Sequence, residues 1–429
     1  MKSRLLCSSL SALAVLAIPA GLALRVPLVA QHLKETRATD RFPRYVVQDL
    51  GTLGGPYSFS YNLNNAGVVS GGSATATQNG DPSQAVVNAP QTAFLWHHGH
   101  LRNLGTLGGP DSVAAAASGF QWAAVDSETA DLSRQGEDVC GFGNSLQCLA
   151  AIWEYERLSP LPLLPGGNNS YALDMNARRQ VVGFSDTGVY DLDCAAPIAG
   201  VPFRSTAGFR FQAVIWEPNG AVRPLVPLDR ENGVAFALGI NNRGQVVGVS
   251  GVCATTAPPP YVSTGHAVLW ERDGTPIDLG SLGGPSAGAS AINDRGDVSG
   301  TSATADGSVR PFLWTPESRT LLQLNPPEGF PVAINGCCKT INDRREIVGF
   351  MFNADFTQQH AFLWKNGVMV DLNDLIPRGS PWMLQSAAGI NASGQIAGQG
   401  LINGEVHAFL ATPCHRHEGR GECCENHDH

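Results

Sequence analysis

Residues 240–248 read Ile-Asn-Asn-Arg-Gly-Gln-Val-Val-Gly, and the pattern returns at 292–300 (INDRGDVSG), 341–349 (INDRREIVG) and 390–398 (INASGQIAG). Looser copies stand at 63–71 (LNNAGVVSG) and 175–183 (MNARRQVVG). A seventh reads as interrupted: Val125-Asp126, an eleven-residue detour, then Asp138–Gly141 (DVCG). The leading Asn or Asp positions, 64, 126, 176, 241, 293, 342 and 391, are 49 to 65 residues apart, about the period of propeller blades. Each copy predicts a β-hairpin. The Asn side chain bonds back to its own backbone, and the Gly three residues on takes the left-handed conformation that ends the turn. Arg179 and Arg345 replace that Gly, at an expected cost on the order of 1 kcal/mol each.

A further strand follows each hairpin: AFLW at 93–96, AAIW at 150–153, AVIW at 213–216, AVLW at 267–270, PFLW at 311–314, AFLW at 361–364 and AFLA at 408–411. Six of the eight tryptophans share that one repeat position, which marks them as packing residues. A strand ending in Leu comes next, and often runs into a glycine-rich corner such as LGTLGGP at 50–56 and 104–110. A small-residue strand then returns to the hairpin. Four short strands per unit and seven units predict an all-β, seven-bladed β-propeller. The last unit lacks its Leu strand, and the chain has an orphan one at Tyr45–Leu50. Pairing the two would seal the ring; a blade phase starting at residue 45 is the alternative.

The strand His-Ala-Phe-Leu-Trp (360–364, with HAVLW at 266–270 and HAFL at 407–410), the LGTLGG corner and the Ile-Asn-x-x-Gly-Gln hairpin resemble the HAF-family extracellular repeat proteins over roughly residues 45–412. The resemblance implies export and a β-repeat fold, and no catalytic residues. Thr92, Leu149, Gln212 and Arg310 stand where the family pattern has His, and Ala411 where it has Trp.

Lys2 and Arg4 precede an apolar run to Leu24, so residues 1–24 read as an export signal, with an uncleaved anchor as the other reading. Residues 25–44 form a linker, 45–413 the propeller, and 414–429 a disordered Cys/His-rich tail. A net charge of −9 with no basic stripe excludes a nucleic-acid partner, and a membrane partner is expected only if the apolar run stays attached. Ten cysteines suit an oxidising compartment, secreted, periplasmic or cell-surface. Cys140 and Cys148 are placed to bridge neighbouring strands, and Cys194 and Cys253, in the long insertions of repeats three and four, to join blades.

No catalytic order is identifiable. Long insertions in repeats one, three and four fall on the face opposite the Asn-Gly turns, and loops on a rigid scaffold commonly carry function. Asp186, Tyr190, Asp191, Asp193 and Tyr261 are the binding candidates there; the three aspartates also offer oxygens of the kind Ca²⁺ takes, without its loop spacing. The tail offers Cys414, His415, His417, Cys423, Cys424, His427 and His429, thiolates and imidazoles that suit Zn²⁺ or Cu⁺, with His97, His98 and His100 nearby on the turn face. His266, His360 and His407 share a strand-start position and are expected to be hydrogen-bonded there. Arg295-Gly296-Asp297 spells an adhesion tripeptide but is one version of the turn. The leading expectation is an exported, non-catalytic propeller that binds an extracellular glycan or protein. A hydrolase or lyase acting on glycans or esters, and metal binding by the tail, are the alternatives.

Overall fold

The computed structural model describes residue 39 and residues 41–75, 90–195, 208–231, 233–253, 265–336 and 339–414. Their strands gather into seven four-stranded antiparallel sheets, the blades of a seven-bladed β-propeller. Six blades take four strands consecutive in the chain. Their first strands are Ser58–Leu63, Gly108–Ala117, Ser170–Met175, Gly233–Ile240, Gly283–Ile292 and Val332–Asn335, in blades one to six. Blade seven uses Trp382–Ile390, Ile396–Ile402 and Glu405–Pro413, and Tyr45–Asp49 supplies its fourth strand, with Tyr45 opposite Pro413 and Asp49 opposite Phe409. The orphan strand therefore closes the ring, and no blade is left with a missing edge.

First strands of blades seven, one, two, three, four and five touch in that order, so they line the axis. The core lies between blades. Val182, Ile215 and Leu225 of blade three pack with Ala237, Ile240 and Val246 of blade four. The repeated tryptophans are buried in these layers; Trp216 and Trp270 donate their indole N–H to Pro162 and Val226 carbonyls. The closing Gly of the repeat is a steric requirement, because a Cβ at Gly248 would sit 1.9 Å from the Phe236 carbonyl oxygen. Arg179 and Arg345 do adopt the left-handed conformation, at φ 63° and 60°. Arg345 recovers part of that cost with a two-pronged contact to Asp297 of the preceding blade.

The second hairpin is not where the sequence reading put it. Its strands are Gly108–Ala117 and Trp122–Leu132, and the turn is Ser118–Gln121, closed by Ser118 N–H to the Trp122 carbonyl. Asp126 lies inside the second strand, and Asp138–Gly141 belongs to a connection, 133–145, that makes blade two insertion-bearing as well. Blade two has neither the turn Asn nor the closing Gly, and Val125 stands at the Gly position opposite Ala114. The periodic signal was absent there.

The repeated Asn does more than shape its own turn. In Asn293 the side-chain carbonyl accepts from Arg295 and Asp297 N–H, while the amide donates to the Asn342 carbonyl of the next blade. The same step runs from Asn176 to Asn241, from Asn241 to Asn293, from Asn342 to Asn391, from Asn391 to Asn64 and from Asn64 to Ala117. This is a belt around the turn face that joins six of the seven blade junctions, all but the one between blades two and three. Asn293→Ala removes bonds to buried groups in two blades and is expected to cost about 2 kcal/mol by urea denaturation. A loss within about 0.5 kcal/mol, the level of an ordinary surface change, would show that the belt contributes little.

Candidate functional site

Among the described residues one buried ion pair crosses the axis. Asp174, on the first strand of blade three, is fully buried. One carboxylate oxygen accepts from the Asn62 side-chain amide (3.3 Å, blade one) and Met175 N–H (2.8 Å); the other accepts from Ile240 N–H (2.9 Å, blade four) and Lys339 Nζ (2.9 Å, blade six). Lys339 also donates to the Ile240 carbonyl at 2.8 Å. Blades three and six face each other across the ring, so this contact spans the channel. Burial raises the Asp174 carboxyl above its usual range, and the Lys339 ammonium opposes that rise.

Above the pair, on the turn face, lies a cavity of about 290 Å³ to which all seven blades contribute. Leu63, Met175, Ile292, Ile341 and Ile390, the residues just before the turn Asn, form an aliphatic collar. The following turn position forms a polar rim with Asn65, Asn242, Asp294 and Asp343, and small residues at Ala177 and Ala392. Rim groups are linked around the ring: Ala177 N–H donates to the Asn242 side chain, Asn242 N–H to Asp294, Asp294 N–H to Asp343, and Ala392 N–H to Asn65. Lys339 reaches the cavity from below, with its side chain a quarter exposed.

The other end of the channel is filled. Tyr61, Val113, Tyr171 and Phe236, from the first strands of blades one to four, share one buried apolar cluster with Val139 and Phe142 of the 133–145 connection. Disulfide Cys140–Cys148 ties that connection to its blade, and Cys194–Cys253 joins blades three and four on the same face. Beside the plug, Glu137 is fully buried. One of its oxygens accepts from Ser133 and Asn169, and the other has no hydrogen-bond partner among the described residues. Burial, then the nearby Asp186 carboxylate, push the Glu137 carboxyl up to about 7. Arg134 bonds Asp186 and lies over the Phe209 ring.

Neither a family model nor a curated protein sequence matches this chain. Solved structures align over most of it. The β-propeller domain of the Trilobed protease from Pyrococcus furiosus gives a TM-score of 0.47 at 10% identity, covering 88% of this chain and 96% of that one. Oligogalacturonate lyase from Vibrio parahaemolyticus gives 0.45 at 9% identity, over 85% and 93%. Pyrococcus horikoshii acylaminoacyl peptidase gives 0.44 at 10%, over 86% of this chain and 50% of the peptidase. At such identities the likeness is one of fold alone.

Both cysteine pairs named from the sequence are disulfide-bonded. Among the described residues the insertion-face aspartates Asp186, Asp191 and Asp193 are not gathered into one metal-sized cluster. Asp186 is buried against Arg134 (3.2 Å) and Asp191 is paired with Arg210 (2.7 Å), so an arginine already neutralises each. Asp193 is exposed, and Tyr190, half-exposed, meets Phe209 edge-on; Tyr261 lies outside the described residues. Asp191, Cys194 and Cys253 sit close together, but both sulfurs are in the disulfide and offer no thiolate to a metal. His97 contacts the Ala66 carbonyl and His98, and His100 is exposed. Of the tail candidates only Cys414 is described; His415, His417, Cys423, Cys424, His427 and His429 lie outside, as do residues 1–38. His266, His360 and His407 each bond the Asp that ends the outer strand of the same blade, Asp278, Asp371 and Asp49 respectively. Asp297 of the adhesion-like tripeptide is buried and held by Arg345.

Sequence reasoning missed Asn62, Asp174 and Lys339. A signal was present. Asn62 and Asp174 stand where sister repeats carry Gly239, Ala291 and Gly389, and Lys339 stands where others carry Leu173 and Leu238. Polar residues at small or apolar repeat positions are departures from the packing code.

Proposed function

We propose that the chain is an exported, non-catalytic binding propeller that holds a small polar ligand in the turn-face cavity. The observation that carries this reading is the cavity itself, ligand-sized, open on one side, and lined by all seven blades. The site moves to the face opposite the one favoured from loop lengths, whose insertions at 76–89, 196–207 and 254–264 lie outside the described residues.

The chemistry at the cavity suits holding a ligand better than transforming it. Asp174 has each oxygen engaged twice, and Lys339 is committed to it. Among the described residues the lining contains no histidine, and its one hydroxyl is Ser118. Glu137 and Asp186 favour the hydrolase or lyase alternative, being a buried acidic pair of the kind that does acid–base work. Both are almost wholly covered, which weighs against contact with substrate. Export is supported by the signal-like first 24 residues and by two disulfides, and among the described residues no helix is long and apolar enough to cross a membrane. Membership of the HAF-type repeat proteins rests on the motifs alone.

A thermal-shift and calorimetric screen of small polar molecules tests the site. Ligands should stabilise the wild type. They should fail to stabilise a protein carrying Ala177→Trp and Ala392→Trp, two exposed rim changes that fill the opening. Equal stabilisation of both proteins would refute the cavity as the site.

A further inference from the structure

We propose that the cavity takes one non-acidic saccharide unit, with amino sugars preferred and uronic acids rejected. This rests on the cavity being the binding site, and it adds the class of ligand.

Charge is the first argument. Three charged groups line the cavity: Asp294, Asp343 and Lys339. The lysine charge is answered from beneath by Asp174. Among the described residues neither Asp294 nor Asp343 has an ion-pair partner, and both face the opening from adjacent blades. The mouth therefore carries negative charge from a half-buried Asp294 and an exposed Asp343, within reach of a ligand and open to screening by salt. A carboxylate-bearing ligand is repelled, and an ammonium is drawn to the rim.

Direction is the second. Asp294 uses one acceptor site on each oxygen for Asn242, and Asp343 uses one for Asp294 N–H, so both keep lone pairs for a ligand's O–H or N–H groups. Lys339 has three donors, two of them spent on Asp174 and the Ile240 carbonyl. The third is left for an oxygen acceptor at the base. The ligand must thus present donors, one of them cationic for best effect, at the rim and a hydroxyl oxygen below. A hexosamine meets both ends, with its C–H faces against the collar of Ile292, Ile341 and Ile390.

Shape and the base decide against a cationic peptide. The ion pair and the apolar plug close the channel, so only an end-on group fits. A lysine side chain entering end-on would carry its ammonium toward the Lys339 ammonium. A sugar amine stays at the rim.

The test is calorimetry at pH 6.5 and low salt with glucosamine, glucose, galacturonate and a short lysine-terminated peptide, on wild type, on the Asp294→Asn/Asp343→Asn variant and on the Ala177→Trp/Ala392→Trp variant. Wild type should bind glucosamine about tenfold more tightly than glucose, a difference of about 1.4 kcal/mol, and galacturonate not detectably. The Asn variant should bring glucosamine to the level of glucose, and added salt should act in the same direction. Galacturonate binding as tightly as glucose, or a glucosamine preference that survives the Asn variant, would overturn the proposal. So would binding of the peptide with no sugar bound, which leaves the cavity as a site for another ligand. Sugar binding unchanged in the Trp variant would instead remove the cavity reading itself.

Discussion

Lys339→Ala should destabilise the propeller by about 3–5 kcal/mol, the usual consequence of removing one partner from a buried ion pair. The substitution leaves Asp174 fully buried beside Asn62 with its counter-charge gone. Its carboxyl, already raised by burial, then loses the group that opposes the rise and becomes neutral at higher pH. The loss should therefore be larger at pH 8 than at pH 5. The double change Asp174→Asn/Lys339→Met should recover much of it, because no isolated charge remains. Urea denaturation of the two single variants and the double measures this. Independent, additive losses would show that the two residues do not act as a pair across the channel.

The second large effect concerns pH. Glu137 titrates near 7 in the folded protein against 4.5 when unperturbed, so the folded state holds its proton more tightly than the unfolded one. The sign follows. Below about 4.5 both states are protonated and the group exerts no penalty; between 4.5 and 7 stability falls as pH rises; above 7 the full penalty applies. Its size is on the order of 3 kcal/mol. The groups facing Glu137 are Asp186, which opposes ionisation, and Arg134, Ser133 and Asn169, which support it. Glu137→Gln removes the titration and keeps the shape. The variant should be more stable than wild type at pH 8, with the advantage gone by pH 5. Hydrogen exchange in 133–145 should report the same change locally, since that connection carries Glu137 together with Val139 and Phe142 of the plug. A wild type and variant that keep parallel stabilities from pH 5 to 8 would disprove the assignment.

The regular part of this molecule is legible because it is repeated. Seven strand groups, the buried tryptophans and the paired strand deficits at the two ends predict the closed ring, and Tyr45–Asp49 pairs with Glu405–Pro413 as those deficits require. Where a blade lost the code, the reading failed. Blade two lacks the Asn and Gly of its turn, so the repeat pattern points to 125–141, downstream of the actual turn at Ser118–Gln121. The strand-start histidines show the middle case. A partner was expected, but its identity depends on cross-strand register, which pairs His407 with Asp49 at a separation of 358 residues.

By itself, then, the sequence determined the blade number, the strand order within a blade and the tryptophan layers, and offered the two cysteine pairs as candidates, all through local period or short reach along neighbouring blades. Tertiary structure alone decided what happens at the axis. Asn62, Asp174 and Lys339 are 112 and 165 residues apart in successive steps and share no local motif. They meet because ring closure fixes blades one, three and six around a common channel, and a charge carried there must find a partner from across it. The same closure turns six ordinary Asn turns into a belt and, with the blade-two turn, into the rim of a cavity. A hairpin has no inside, and a closed ring of seven does.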